Sequence, residues 1–347
     1  MISLRLCRSP QHLTTPQLAE ALGLDRSLSA FAKIDPQALA VVARFLTGQP
    51  ELRDARGCAW DDPLYWYPEG SPRERSQYFA IGCAINFRFW RLAGGAVVPL
   101  AGRLDGVNLS GAMYMWRCLR RALDHGRFPL LDASFLAAID REQFAAIFSD
   151  DDGVNPLRTA ASERLANWRD LGTRLLRDWQ GQFYNLLTAA GSSLVEFVEL
   201  SRHFRAFDDP LFKLTMVNSI LCSGGGVARF DADPLPGIDY HLMQQLLRQG
   251  VLLPVPALRA KLERRVLLTN REGRELRRLA LCAFVELSVR TGLSGEILDN
   301  LWWWNRVQCR TEGPVCLSLK TAHQCAFFSA CARITGLGMP LERTRYY

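Results

Sequence analysis

Lysine is nearly missing: Lys33, Lys213, Lys261 and Lys320 are the only four, so almost all of the 42 basic residues are arginine. The formal charge of +7 suits an anionic partner, yet no dense basic run with interleaved aromatics occurs, which argues against a dedicated nucleic-acid surface. A small phosphorylated ligand needs only a few Arg or Lys side chains. The ten cysteines (Cys7, Cys58, Cys83, Cys118, Cys222, Cys282, Cys309, Cys316, Cys325 and Cys331) include no Cys-x-x-Cys pair, so a zinc site is not expected. Most sit in apolar contexts such as Leu281-Cys282-Ala283-Phe284, where a reduced thiol acts as a small core residue. No apolar run reaches the roughly 20 residues of a membrane span, and residues 1–8 lack the apolar stretch of a signal peptide; a cytoplasmic protein without membrane contact is the expectation. Gly224-Gly225-Gly226 has neither the Lys-Ser/Thr nor the preceding strand of a P-loop and reads as a flexible connection. Ser149-Asp150-Asp151-Asp152-Gly153 lacks the alternating ligands and closing Glu of a calcium loop and reads as a solvated helix end. No metal or cofactor is expected.

What is present is a helical pattern. With 347 residues, 48% of them hydrophobic, the chain can bury a large core. Thr15-Pro16 and Asp35-Pro36 each place a capping side chain before a proline at a first helical position. Residues 56–77 are rich in Gly, Pro, Asp and aromatics and read as an irregular loop. Phe79, Ile81, Cys83, Ile85, Phe87 and Phe89 alternate, predicting a half-buried strand over residues 78–90, with a second short strand over residues 96–104 completing a hairpin. Beyond it, Ser110, Asp140 and Ser193 begin further helices, residues 160–187 show Leu165, Trp168, Leu171, Leu175 and Leu176 on one face, and the pattern stays helical to about residue 301. The predicted fold is mainly α with a small β-hairpin element.

One stretch organises the rest. Pro236-Gly237-Ile238-Asp239-Tyr240 leads into Leu242, Leu246 and Leu247 at helical spacing, and Gly250 stands where a left-handed residue closes the helix. Asp239 is thereby placed at the N-cap, where free N–H groups and the helix dipole favour its ionised form. As a bare helix signal, an Asp before an apolar run is only a cap. Lys213, in the otherwise apolar helix Phe212-Lys213-Leu214-Thr215-Met216, is either a lysine snorkelling to the surface or a contact to a phosphate.

The run Asp239-Tyr240-x-Leu242-x-x-x-Leu246-x-x-x-Gly250-x-Leu252 resembles the helix carrying the catalytic aspartate in the queuosine salvage proteins, the queuosine 5′-phosphate N-glycosidase family. The resemblance continues in order through Ile85-Asn86-Phe87-Arg88-Phe89-Trp90, Arg121-Ala122-Leu123-Asp124-His125-Gly126, Gly181-x-Phe183-x-Asn185 and Phe212-Lys213 to Arg343-Thr344-Arg345-Tyr346-Tyr347. It implies a single helical domain over residues 1–347, similar in fold to helix-hairpin-helix DNA glycosylases, with an N-terminal part to about residue 130 and a catalytic part beyond it. It implies an N-glycosidase that hydrolyses queuosine 5′-monophosphate, or a related 7-deazaguanine nucleotide, to queuine and ribose 5-phosphate for tRNA queuosine salvage. The partner is then a small nucleotide, with no stable nucleic-acid partner.

By the same resemblance Asp239 is the catalytic residue, as nucleophile, electrostatic partner or water-orienting base. Gly237, Ile238 and Tyr240 beside it, with Lys213, contact the substrate. The family's Asp-Tyr-x-Leu-Trp-Asp segment, which supplies carboxylates to the cationic base, corresponds to Leu298-Asp299-Asn300-Leu301-Trp302-Trp303-Trp304-Asn305. Asp299 matches the first acid, Asn300 replaces the tyrosine, and Trp304 or Asn305 replaces the second acid. The three tryptophans either pack a helix face or line a base pocket. Gly237 stands where the family has a base-stacking phenylalanine, and the base-contacting histidine has no counterpart near Trp60-Asp61-Asp62-Pro63-Leu64-Tyr65-Trp66. The chain is thus a divergent member, and two alternatives stay open: a homologue that binds a nucleotide or modified base without cleaving it, and a glycosylase with altered base specificity, including one acting within RNA or DNA.

Overall fold

The computed structural model describes residues 12–52 and 58–347; Cys7, the N-terminal residues and the start of the predicted 56–77 loop lie outside the described residues. Its helices are α1 (Thr15–Ala21), α2 (Pro36–Thr47), α3 (Pro72–Cys83), α4 (Gly111–His125), α5 (Ala133–Ala138), α6 (Arg141–Ile147), α7 (Ala161–Asp178), α8 (Phe183–Ala190), α9 (Leu194–Ser201), α10 (Lys213–Gly224), α11 (Tyr240–Arg248), α12 (Pro256–Glu263), α13 (Asn270–Thr291) and α14 (Gly295–Asn305). The strands are short: β1 (Ala32–Ile34), β2 (Trp90–Ala93), β3 (Ala96–Pro99), β4 (Ala101–Leu104), β5 (Val107–Ser110) and β6 (Leu252–Pro254). They form three antiparallel pairs, β1 with β6 (Ala32 opposite Pro254), β2 with β3 (Trp90 opposite Pro99) and β4 with β5 (Ala101 opposite Ser110). The mainly α reading agrees with this architecture. Among the described residues, no helix is long and apolar enough to cross a membrane.

Three of the capping signals act as their chemistry predicts, whereas Ser110 stands at the N-cap of α4 without a side-chain hydrogen bond to it. Asp35 accepts from the amides of Gln37 and Ala38, Asp140 from Gln143 and Ser193 from Glu196. At the first helix the cap is Thr14 rather than Thr15, closing a capping box with Gln17, while the Thr15 hydroxyl accepts the Gly295 amide at 2.7 Å.

Of the strand predicted over residues 78–90, residues 78–83 belong instead to α3 and residues 84–89 to the loop that follows it. Ser71 and Glu74 form a capping box ahead of Pro72, and every residue from Ser76 to Cys83 is buried. The alternation there is between large residues and the small Ala80 and Gly82, not between inside and outside, so its period of two carried no strand information. Only Trp90, at the end of that run, begins a strand. The second predicted strand is broken at Leu100 into β3 and β4, which belong to different hairpins. Gly224 is no flexible connection: a Cβ there would meet the Cys58 carbonyl at 2.0 Å, because α10 ends against that backbone. The acidic turn is partly tied down, with Asp151 accepting from the Asp105 and Gly106 amides at 3.0 and 2.9 Å.

The core is organised around two long helices. α13 buries Leu276, Ala280, Phe284 and Leu287 and packs against α1, α2, α11 and α14. α7 packs against α5, and its Trp168 and Asn167 donate to the Ile81 and Ala84 carbonyls of α3 at 2.9 and 2.8 Å. On α11, Leu242, Leu246 and Leu247 are wholly buried, each contributing about 1.5–3 kcal/mol by leaving water. Its last residue, the buried Arg248, donates to the carbonyls of Leu337, Cys309, Arg310, Thr311 and Thr335, tying the C-terminal segment to the helix. Gly250 then takes φ +81°, the left-handed conformation expected of it.

The nine described cysteines are free, and burial pushes the Cys83 and Cys118 thiols up to about 12.

Candidate active site

Four segments meet around one cavity of about 930 Å³, near the upper end of the range for small-molecule sites. They are the loop after α3 (Asn86, Phe87, Phe89, Trp90), α10 (Lys213, Val217), the entry to α11 (Gly237, Asp239, Tyr240, His241) and one face of α14 (Asp299, Trp303, Arg306). Trp60, Trp66 and Trp116 add an aromatic wall, and Tyr347 closes the cavity from the chain's end.

The loop after α3 is held by Arg164 of α7, a fully buried guanidinium that donates to the Ile85, Thr159, Phe87 and Arg88 carbonyls and lies over the Phe87 ring at 4.8 Å. Burial pulls its pKa down, to about 9.

Asp239 caps α11 through one oxygen only. Oδ1 accepts from the amides of His241 and Leu242 at 2.8 and 3.0 Å. Oδ2 has no hydrogen-bond partner among the described residues, and the side chain lines the cavity. Capping and availability to a ligand are therefore compatible in the same carboxylate.

Lys213 does not snorkel. It is buried at 5% exposure, and its Nζ donates to the Asn86 carbonyl at 2.6 Å. Burial lowers its pKa, while the charge of Asp239 is the largest influence opposing that. The Lys213 amide is held in turn by Asp209 Oδ2 at 2.9 Å.

Asp299 Oδ1 accepts the Gly237 amide at 2.9 Å, so α14 and the approach to α11 share a hydrogen bond beneath the cavity. Burial first, then the negative charge of Asp239, pushes the Asp299 carboxyl up to about 7. His241 moves the other way, to about 4, because burial disfavours its cation; it is a neutral imidazole at pH 7. Burial also raises the Tyr240 hydroxyl.

The raised Asp299 pKa predicts a pH effect. Folded, the group keeps a proton that the unfolded chain releases from about pH 4 upward, so its contribution to stability is full below pH 4 and is lost as pH rises towards 7. Asp299→Asn is expected to remove that decline, on the order of a few kcal/mol, while keeping an acceptor for the Gly237 amide. Urea midpoints at pH 5 and pH 7.5 for both proteins check this; parallel curves would refute it.

Not all the residues singled out in the sequence meet here. Gly237, Asp239, Tyr240, Lys213 and Asp299 line the cavity; Ile238, Asn300, Trp304 and Asn305 do not. Ile238 is in the core. Asn300 is buried with its Nδ2 unpartnered, and Trp304 is half exposed with its indole N–H on the Cys58 sulfur at 3.4 Å. Asn305 donates to Gln245 at 2.8 Å and accepts the Ala326 amide at 3.1 Å, a structural bridge away from the cavity. Trp303 and Arg306, four and seven residues after Asp299, share its helix face instead. That spacing was the available signal for both, and His241 had none beyond its place next to Tyr240.

Gly237 leaves no room for a side chain. A Cβ would stand 2.6 Å from Val217 Cγ2, so any larger residue runs into α10. Gly237→Ala is expected to cost about 1–3 kcal/mol by overpacking. Adding Val217→Ala should return most of that in a urea titration, and an unchanged deficit in the double variant would show that the backbone is at fault.

A helical protein with a deep aromatic-walled cavity, into which a helix-capping carboxylate projects beside a buried lysine, is built to bind a small molecule. A sequence model of the family described as queuosine salvage protein matches residues 67–217, which include the loop after α3 and Lys213, and Asp239 lies beyond that match. The chain is also 29% identical over 285 residues to the queuosine 5′-phosphate N-glycosylase/hydrolase of Sphaerobacter thermophilus, covering 77% of this chain and 83% of that protein. By both comparisons the chain is similar to the queuosine salvage proteins.

Proposed function

We propose that this protein hydrolyses the N-glycosidic bond of queuosine 5′-monophosphate or a related 7-deazaguanine nucleotide, releasing the base and ribose 5-phosphate. The observation that carries this reading is the placement of Asp239, with one carboxylate oxygen fixed by the helix and the other free at the cavity. As the bond to the base stretches, positive charge develops on the ribose, and a fixed carboxylate beside it stabilises that charge. Lys213 donates to the Asn86 carbonyl rather than to Asp239, so no direct ion pair occupies the carboxylate. Water adds to the anomeric carbon, and its proton leaves with the base or to solvent.

A 7-deazaguanine has no N7 to protonate, so departure requires a proton delivered elsewhere on the base. Asp299, with a pKa of about 7, holds such a proton part of the time at neutral pH. In this reading residues 1–347 act as one catalytic unit with a glycosylase-like helical fold, and the aromatic wall of Trp60, Trp66 and Trp116 takes up the role of the base-stacking side chain that Gly237 excludes.

Incubation with queuosine 5′-monophosphate and chromatographic detection of free base tests the proposal. Tight nucleotide binding with no release across a panel of modified nucleotides would establish a binding protein instead.

A further inference from the structure

The cavity holds a cation that the chemistry above does not use. Arg306 lines it on the same face of α14 as Asp299, and its guanidinium carbon lies 3.5 Å from the centre of the Trp303 ring. One of its nitrogens, Nη1, donates to the Trp303 carbonyl. Among the described residues no carboxylate comes within ion-pair distance of it, although Asp239, Tyr240 and Asp299 are close enough to influence its charge. Burial lowers its pKa only to about 10, so it remains a cation at neutral pH. Arg306 is half-buried, and with one protein acceptor for its five N–H groups the others, none of them sealed in the interior, are open to a ligand.

We propose that Arg306, stacked on Trp303, is the seat of the substrate's phosphate. This rests on the nucleotide reading of the cavity. The indole face fixes the plane of the guanidinium, leaving its edge to form the paired hydrogen bonds that a phosphate accepts. The other cations are committed or peripheral. Lys213 donates to Asn86 beside Asp239. Arg265 pairs with Glu312, and Arg264 and Arg310 are exposed at the mouth, donating to the Ala260 and Val307 carbonyls. Arg306 is thus the cavity-lining guanidinium left to receive a phosphate dianion. The phosphate contact considered for Lys213 from sequence passes to Arg306.

The test uses ribose 5-phosphate, ribose and inorganic phosphate as calorimetric probes, with the nucleoside and its 5′-monophosphate as substrates. The wild type should bind ribose 5-phosphate more tightly than ribose or inorganic phosphate. Arg306→Met should weaken ribose 5-phosphate about 10- to 100-fold, the effect of losing charge-assisted hydrogen bonds. The preference in kcat/KM for nucleotide over nucleoside should collapse by the same factor. Arg306→Lys, which keeps the charge and loses the paired geometry, should fall between, and urea midpoints confirm that both variants fold. Unaltered ribose 5-phosphate affinity in Arg306→Met, or an equal loss towards nucleoside and nucleotide, overturns the assignment. A wild type that binds ribose 5-phosphate through Arg306 yet releases no base sinks the hydrolase reading and leaves the phosphate seat standing.

Discussion

Asp239→Asn is expected to keep the fold, keep nucleotide binding and lose base release by about 10³-fold or more. The magnitude follows from removing a preorganised charge at the point where the transition state becomes cationic; loss of a single stabilising group of this kind costs about 10²–10³ in kcat, and a full charge more than a dipole. The fold survives because asparagine caps helices as well as aspartate, and the amides of His241 and Leu242 keep an oxygen acceptor. Stability should therefore change by no more than about 1 kcal/mol. Single-turnover base release, with nucleotide affinity measured separately, distinguishes the two contributions. A variant with near wild-type turnover would remove Asp239 from the chemistry and leave it as a helix cap. Alanine is the wrong comparison, since it removes cap and charge together.

How much of this site was legible in the sequence depended on whether its signals were local. Asp239, Asp35, Asp140 and Ser193 were readable as caps because a side-chain oxygen meeting an amide two or three residues ahead is a short-range event. Gly250 was readable because a left-handed closing residue is a backbone requirement. α3 was not, since from Ser76 to Cys83 it is buried on all sides and has no polar face to betray its period. On α14 the run Trp302-Trp303-Trp304 hid the register: Trp302 enters the core against Phe327 and Phe284, Trp303 faces the cavity and Trp304 faces outward, three environments for one residue type. Arg306 was invisible for a related reason, because among so many arginines nothing local separates a cavity-facing guanidinium from a solvated one. The aromatic wall depends on long-range packing, with Trp66 of an irregular segment meeting Trp116 of α4 at 4.8 Å between ring centres. The meeting of Gly237 with Asp299 spans 62 residues and is fixed only once α13 sets α11 against α14.

The largest loss of stability is expected away from the reacting groups, at Asp209. This carboxylate is wholly buried, forms an ion pair with Arg277 at 3% side-chain exposure, and accepts the amides of Leu211 and Lys213 at 3.0 and 2.9 Å. It takes over as cap of α10, whose own N-cap position, Phe212, is left-handed with φ +58° and offers no side-chain acceptor. Arg277 in turn stacks on Tyr347 at 4.8 Å, so one buried pair fixes both the start of the lysine-bearing helix and a wall of the cavity. Removing one member strands a charge in the interior, at a cost of about 3–5 kcal/mol, whereas replacing both by apolar groups of similar volume is often neutral. Asp209→Ala should therefore lower the urea midpoint sharply and weaken base release through a displaced Lys213. Asp209→Ala combined with Arg277→Met should regain most of the stability but not the activity, because α10 still lacks its cap and Tyr347 its cationic neighbour. If the double variant is as unstable as the single one, the loss lies in the amides of Leu211 and Lys213 rather than in the stranded guanidinium, and Asp209 acts as a remote helix cap first and an ion-pair partner second.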